Sequence, residues 1–487
     1  MEQNKVVPIN HNLTMLTDFY EITMANGYFM NGFQDKIAYF DMFFRKIPDG
    51  GGYAIMCGVQ QLIEYLERLR FTDEDIEFLR SKNIFDEGFL SYLRNFKFSC
   101  DVWAVPEGTP IFPGEPIVTV RGPVIQAQFI ETMVLLCINH QSLIATKANR
   151  ISRAADGRAV MEFGSRRAQG FDGAVYGARA AYVGGCCGTA CTICDQKFGV
   201  PALGTMAHSW VQLFDSELDA FRAYAKEYPS NCTLLVDTYN VLKSGIPNAI
   251  KVFNEVLVPQ GYRPAGIRID SGDITYLSRK ARKMLDAAGF EDCKICVSNS
   301  LDEYIIRDML IQGAQVDSFG VGERLITSSS EPVFGGVYKL AGVENEDGSI
   351  TPKIKISENV AKITTPCFKD LWRLFDRETG KAIADVITLH GEKIDDSQPY
   401  EIFDPEHTWK RKLVENFRAV NLRQQLFKNG ESISQPRDLQ EIKTYCAAQV
   451  DTLWDEVTRF ENPHEYYVDL SQNLWDIKNR LISEHTF

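Results

Sequence analysis

The chain has 487 residues, too many for one compact core, so about two to three domains are expected. A formal net charge of −13 with no Lys/Arg-rich run excludes a general nucleic-acid binder, although a local arginine cluster can still hold a phosphate on an acidic protein. No apolar run approaches the ~18 residues needed to cross a bilayer, and Met1-Glu2-Gln3-Asn4-Lys5 lacks the apolar core of a signal peptide, so a cytoplasmic protein without membrane contact is expected.

In chain order, residues 1–150 open with an aromatic segment and continue into helical patterns at Val59–Leu69 and Asp73–Arg80. A Pro/Gly-punctuated β region, Val102–Gly122, follows, in which Trp103 to Pro110 reads as strand, turn, strand. Met133–Ile138 is the densest apolar run and is broken by Asn139 and His140. Residues 151–345 then repeat one motif, a short apolar strand that ends in a polar loop. Ala159–Phe163 runs into Gly164-Ser165-Arg166-Arg167, and Thr233–Val236 into Asp237-Thr238-Tyr239-Asn240. Gly266–Ile269 runs into Asp270-Ser271-Gly272-Asp273, Lys294–Val297 into Ser298-Asn299-Ser300, and Val316–Phe319 into Gly320-Val321-Gly322-Glu323. Helical patterns such as Ile274–Ala288 and Leu301–Gln312 separate these strands. After a turn at Asn345-Glu346-Asp347-Gly348, residues 346–487 are charged and aromatic; they are expected to be helical and to pack on the first zone and the exterior of the second.

Repeated strand, polar loop and helix predict an α/β fold. In a parallel α/β barrel the loops at the C-terminal strand ends share one mouth, which is where enzymes of that class keep their chemistry. A doubly wound open sheet gives similar local patterns, and the barrel is the preferred of the two. Twelve cysteines without an export signal read as reduced thiols. The pairs Cys191/Cys194 and Cys293/Cys296 are too far apart in the chain for a compact zinc ribbon, so no metal held directly by the protein is expected.

Thr17-Asp18-Phe19-Tyr20, the run Phe163 to Gly170, the run Gly204 to Trp210, Arg268-Ile269-Asp270-Ser271-Gly272-Asp273 and Phe319-Gly320-Val321-Gly322 occur in that order. Together they closely resemble nicotinate phosphoribosyltransferase, from Leu13 to Leu340, with the resemblance weakening beyond residue 360. The resemblance implies an irregular, incomplete α/β (TIM-like) barrel with an N-terminal α/β sandwich domain, the two joined by the C-terminal segment. It also implies a homodimer with active sites at the subunit interface. The implied reaction joins nicotinate to phosphoribosyl pyrophosphate, giving nicotinate mononucleotide and pyrophosphate for NAD salvage by the Preiss-Handler route. ATP is the co-substrate hydrolysed, and Mg²⁺ is the cofactor, held through the substrate phosphates.

The residue types suit that chemistry. Breaking the bond from ribose C1 to pyrophosphate builds positive charge on the sugar and negative charge on the leaving group, so carboxylates belong near the ribose and cations near the phosphates. Asp270 and Asp273 meet the first need; Arg166, Arg167 and Arg268 meet the second, and the resemblance places Arg268 near the nicotinate carboxylate too. A guanidinium fork matches either anion, so residue type does not divide these roles, and structural pairing with Asp270 or Glu162 is the plainer alternative.

By resemblance Phe163 and, from the partner, Tyr20 sandwich the pyridine ring, with Asp18 beside Tyr20; taken alone, Tyr20 would be a core or interface aromatic. His208 is identified with the histidine that ATP phosphorylates, Thr205 with a nicotinate contact and Ser209 with a further substrate contact. Gly320 and Gly322 would let backbone N–H groups approach the 5′-phosphate. Glu323 stands where a Thr is usual in the family, which puts that contact in question and leaves Gly335 and Gly336 as the alternative. Nicotinamide-using relatives carry an acid in a Gly-Thr-Asp run that here reads Gly188-Thr189-Ala190, favouring nicotinate. The alternatives are a nicotinamide phosphoribosyltransferase and a catalytically silent regulator of NAD metabolism.

Overall fold

The computed structural model describes residues 12–359 and 362–485, so the N-terminal pentapeptide lies outside the described residues. The chain divides into two compact units: one takes the chain as far as Leu143 and again from Val333 onward, and the other runs Ile144–Pro332.

The first unit is built on a seven-stranded, wholly antiparallel sheet. Its strands lie in the order Ile350–Pro352, Val337–Glu344, Ile37–Phe43, Val118–Pro123, Asp101–Ala104, Gln424–Lys428 and Glu431–Ser432. Helices Val59–Arg68, Asp73–Ser81 and Glu87–Arg94 supply Leu62, Ile63, Leu66, Ile76, Leu79, Phe89, Leu90 and Leu93 to the core beneath it. The spacing of these apolar residues puts them on one face of each helix. Thr72 and Asp75 close a reciprocal capping box, and Asp86 caps the next helix, so each start is fixed locally.

The segment after residue 346 departs from the helical expectation. Lys369–Asp376 and Ala382–Leu389 pair antiparallel at the centre of a four-stranded sheet flanked by Phe417–Asn421 and Val468–Leu470. Gln424–Lys428 joins the first unit's sheet beside Asp101–Ala104. Helices longer than a turn begin only at Leu439. The charges mislead because two of them are internal: Arg373 and Asp385, both fully buried, face each other at 2.6 and 2.8 Å. The charge pattern therefore points to packed helix where the chain forms strands with buried faces.

One helical stretch, Val124–Ala154, is long and apolar enough to cross a membrane by length and composition, which the interrupted runs of the sequence conceal. Of its apolar window, 72% is buried in protein, as in a core helix.

The second unit carries a six-stranded, wholly parallel sheet. Its order is Gly188–Thr189, Ala159–Glu162, Ser318–Val321, Lys294–Ser298, Gly266–Ile269 and Thr233–Leu235. Read cyclically this is chain order: the last strand pairs with the first, Gly320 opposite Met161. An α/β barrel closes in this way, and the gap falls between Gly188–Thr189 and Thr233–Leu235, which are the two end strands. Helices Phe171–Val183, Ile274–Ala287 and Glu303–Ile311 connect successive strands. The α/β class holds, and the strand order fits an incomplete barrel. Along Gly266–Ile269 the period of two buries Ile267 and Ile269 and leaves Arg268 facing the other way.

Candidate active site

Three C-terminal strand ends of the second unit, those of Thr233–Leu235, Gly266–Ile269 and Lys294–Ser298, contribute polar groups, and Thr205 and His208 join them from the segment that leads into helix His208–Leu213. Arg268 donates from Nε to Ser298 Oγ at 2.9 Å, from Nη1 to Thr205 Oγ1 at 3.2 Å and from Nη2 to Asp270 Oδ1 at 2.9 Å. Its side chain is 13% exposed and its guanidinium carbon lies 5.6 Å from the centre of the Phe163 ring. A guanidinium so held is fixed in plane and keeps further N–H donors open toward a ligand.

Asp270 takes the opposite charge. Oδ1 accepts from Arg268 and from the Ser298 hydroxyl, while Oδ2 lies 3.8 Å from His208 Nε2. Its backbone N–H donates to Asp237 Oδ2 at 2.9 Å, and the Ser271 hydroxyl donates to the same oxygen at 2.7 Å. The other oxygen of Asp237, Oδ1, is buried with no hydrogen-bond partner among the described residues. A buried, unpartnered carboxylate oxygen is costly to keep, and such groups mark functional sites.

His208 begins the short helix His208–Leu213, whose Trp210 indole donates to Ala220 O at 3.1 Å and so pins the turn. The second ring nitrogen, Nδ1, is 3.1 Å from Thr238 Oγ1. The structure therefore brings Phe163, Thr205, His208, Arg268 and Asp270 together, with Ser298, Asp237 and Thr238 as members that the sequence places in polar strand-end loops without a site role. One backbone signal accompanies them. Asn299 and Ser300, directly after Ser298, have φ of 95° and 50°, and consecutive non-glycine residues in that region store strain of about 1–3 kcal/mol each, typically at functional sites.

The remaining expected residues are placed differently. Arg166 and Arg167 lie on the exposed turn Ser165–Arg167. Arg167 Nε is 3.8 Å from Glu323 Oε2, and Arg166 has no ion-pair partner among the described residues. Glu323 thus sits beside a cation that offsets its charge. Asp273 caps helix Ile274–Ala287 by accepting from Tyr276 N at 2.9 Å, a structural job that takes one of its oxygens. Ser209 is exposed, with no side-chain hydrogen bond among the described residues. Glu162 pairs with neither arginine: it is fully buried, burial pushes its carboxyl up, and the Thr189 hydroxyl and Gly164 N–H hold that rise back. The structural alternative for the arginines therefore applies to Arg268 with Asp270 and not to Glu162.

Gly320 and Gly322 have a packing reason. A Cβ on Gly320 would lie 2.5 Å from Phe163 Cδ2, and one on Gly322 would lie 3.2 Å from Phe163 O. The missing side chains make room for Phe163.

In the first unit, Asp18 stands at the N-cap of helix Phe19–Met30 without a side-chain cap bond, and Tyr20 is 46% exposed. Burial, and next its contact with Glu21, push the Tyr20 hydroxyl well above the usual phenol range. All twelve cysteines are free thiols, and among the described residues no group of three or more His, Cys, Asp or Glu is placed to hold a metal.

A carboxylate, a pinned guanidinium and an imidazole thus meet at the C-terminal edge of a parallel α/β sheet, which is where enzymes of this architecture keep their chemistry. Residues 15–139 match the nicotinate phosphoribosyltransferase (NAPRTase) N-terminal domain, and residues 368–478 the nicotinate phosphoribosyltransferase C-terminal domain. The nicotinate phosphoribosyltransferase of Bacillus subtilis (strain 168) is 42% identical over 473 residues, covering 97% of this chain and 96% of that protein. The crystal structure of human nicotinic acid phosphoribosyltransferase is similar with a TM-score of 0.85 at 29% identity, covering 96% of this chain and 99% of that one. The nicotinate-nucleotide pyrophosphorylase of Pyrococcus furiosus shares the fold, with a TM-score of 0.71 at 22% identity over 93% of this chain and 99% of that one. The chain belongs to the nicotinate phosphoribosyltransferase family.

The packing of Phe163 on Gly320 makes a specific prediction. Gly320→Ala is expected to displace the ring and to raise the dissociation constant of nicotinate, measured by titration, by about 2- to 13-fold, the equivalent of losing one aromatic contact. Unchanged affinity would mean that the ring does not touch the ligand.

Proposed function

We propose that the protein transfers the phosphoribosyl group of phosphoribosyl pyrophosphate to nicotinate, with ATP hydrolysis coupled through a phosphohistidine at His208. The carrying observation is the Arg268 cluster: one guanidinium, locked by Ser298, Thr205 and Asp270 and lying against Phe163, at the end of a barrel strand. Arg268 has open donors for the nicotinate carboxylate, while Phe163 supplies a face for the ring.

In the transfer, the pyridine nitrogen lone pair forms the bond to ribose C1 as the C1–O bond to pyrophosphate breaks, and that electron pair leaves with pyrophosphate. Asp270 stabilises the positive charge that develops on the ribose. Arg166, exposed and without an ion-pair partner, is available to the phosphates, and Arg167 shares its charge with Glu323. Asp237 Oδ1 and Asp270 Oδ2 are the oxygens that would meet the water shell of a substrate-bound Mg²⁺, which offsets phosphate charge. In the coupling step His208 takes the γ-phosphoryl group as ADP leaves, and water later cleaves the N–P bond to give phosphate. The cytoplasm, where thiols stay reduced, suits the twelve free cysteines.

The discriminating experiment offers nicotinate and nicotinamide to the purified protein. Ala190 is exposed and brings no carboxylate to accept from an amide N–H, and Arg268 favours an anion, so turnover with nicotinate alone is expected. Equal rates with the two bases would defeat the assignment.

The same reading makes the enzyme a homodimer in which Tyr20 and Asp18 act in the partner's site. The exposed ring of Tyr20 supports it. Mixing the inactive variants Tyr20→Ala and Asp270→Asn should restore activity, because one site of the heterodimer keeps both residues. Exchange of subunits without recovered activity would rule out a shared site.

A further inference from the structure

We propose that Thr238 is a positioning residue for His208, its hydroxyl donating to Nδ1 and thereby keeping the ring proton on Nε2, toward Asp270. The functional consequence rests on the phosphohistidine reading, whereas the geometry does not.

Each ring nitrogen faces one group. Nδ1 is 3.1 Å from Thr238 Oγ1, and Nε2 is 3.8 Å from Asp270 Oδ2. Asp270 Oδ1 is already taken by Arg268 and Ser298, so Oδ2 is the lobe turned to the imidazole. A neutral imidazole carries one N–H and one bare nitrogen, and what each nitrogen faces decides which is which. A bare Nε2 lone pair against a carboxylate oxygen is repulsive, and an N–H in its place is attracted. At 3.8 Å, beyond hydrogen-bond reach, Asp270 favours the proton on Nε2 without fixing it there. Nδ1 is left as an acceptor, and a hydroxyl can rotate to donate to it. Thr238 Oγ1 has no other hydrogen-bond partner among the described residues.

The preceding residue strengthens the arrangement. Asp237 Oδ2 holds both the Asp270 N–H and the Ser271 hydroxyl. The group that holds one side of the ring and the carboxylate that faces the other are thus referenced to the same short run after strand Thr233–Leu235. Asp237-Thr238 sets the distance between ring and carboxylate before any substrate arrives. A ring kept in one tautomer and one plane presents a defined nitrogen to ATP: Nδ1, its lone pair freed as the Thr238 hydroxyl turns away, forms the N–P bond as the bond to ADP breaks, and the proton stays on Nε2 toward Asp270.

The test is ¹⁵N NMR of histidine-labelled protein at about pH 9, where imidazoles are neutral, with His208 assigned among the seven histidines by difference from His208→Ala. In the wild type, the proton is expected on Nε2, with Nδ1 showing the far downfield resonance of a bare nitrogen. Thr238→Val, close in shape but without the hydroxyl, should give a mixture of tautomers and slow labelling by γ-labelled ATP by about tenfold, the equivalent of one hydrogen bond. Thr238→Ser should restore both. A wild-type ring protonated on Nδ1 overturns the proposal, and that spectrum decides even if Thr238→Val does not fold. An unchanged tautomer in Thr238→Val also overturns it. A wild-type protein with its proton on Nε2 that takes no label from ATP supports the hold of Thr238 on the ring and overturns the phosphohistidine reading instead.

Discussion

Asp270→Asn is expected to lower the phosphoribosyl transfer rate by about 10²-fold or more while the protein stays folded. The substitution keeps the shape, so an amide oxygen can still accept from Ser298 and Arg268. It removes the negative charge that Arg268 balances at 2.9 Å and that lies 3.8 Å from His208. In the transition state the ribose develops positive charge, and a neutral amide cannot answer it. Steady-state rates measured beside a thermal melt separate this from misfolding. A variant with an intact melt and near wild-type turnover would make Asp270 a structural partner of Arg268 and nothing more.

The second large effect concerns coupling. His208→Ala should abolish both the acid-labile, base-stable label left by γ-labelled ATP and the ATP hydrolysis that accompanies transfer. Slow transfer should persist at high substrate concentration, because the proposed mechanism rests the chemistry at ribose C1 on Asp270, the arginines and Mg²⁺ rather than on His208. Coupling requires that phosphorylation change substrate affinity, so the variant should ignore ATP and show a raised apparent KM for phosphoribosyl pyrophosphate. Continued ATP hydrolysis in step with transfer would place the acceptor elsewhere, with His140 the next residue to test.

Of the residues these two predictions use, His208 stands out only through the family resemblance, whereas Asp270 and Arg268 are legible in the chain for a physical reason. A short apolar strand that ends in charged and hydroxyl residues is a local pattern, and the strand ends carrying Arg268 and Asp270 lie where periodicity puts them. The helix caps at Thr72, Asp86 and Asp302, which the structure shows and the sequence patterns above do not include, are local as well, since donor and acceptor are separated by a few residues.

Other features depend on residues far apart in the chain. Nothing near Ser298 indicates that its hydroxyl would sit between Arg268 and Asp270, because the three meet only when their parallel strands pair in register, Cys296 beside Arg268. Asp237 and Thr238 find their partners across the same neighbouring strand ends and a short helix. Gly320 reads as a loop glycine for phosphate, and only the pairing of Ser318–Val321 with Ala159–Glu162 lays Phe163 over it. The strands of 369–432 were missed because Arg373 and Asp385 neutralise each other inside the protein, and a charge pattern cannot show which charges will be paired and buried. Composition, local periodicity and ordered motifs determined the α/β class and the family, and nominated the candidate site residues, because these need only neighbours along the chain. Register, buried ion pairs and the hydroxyls that aim the site were decided by the tertiary structure, because hydrogen bonds and packing act between groups that only folding brings within reach.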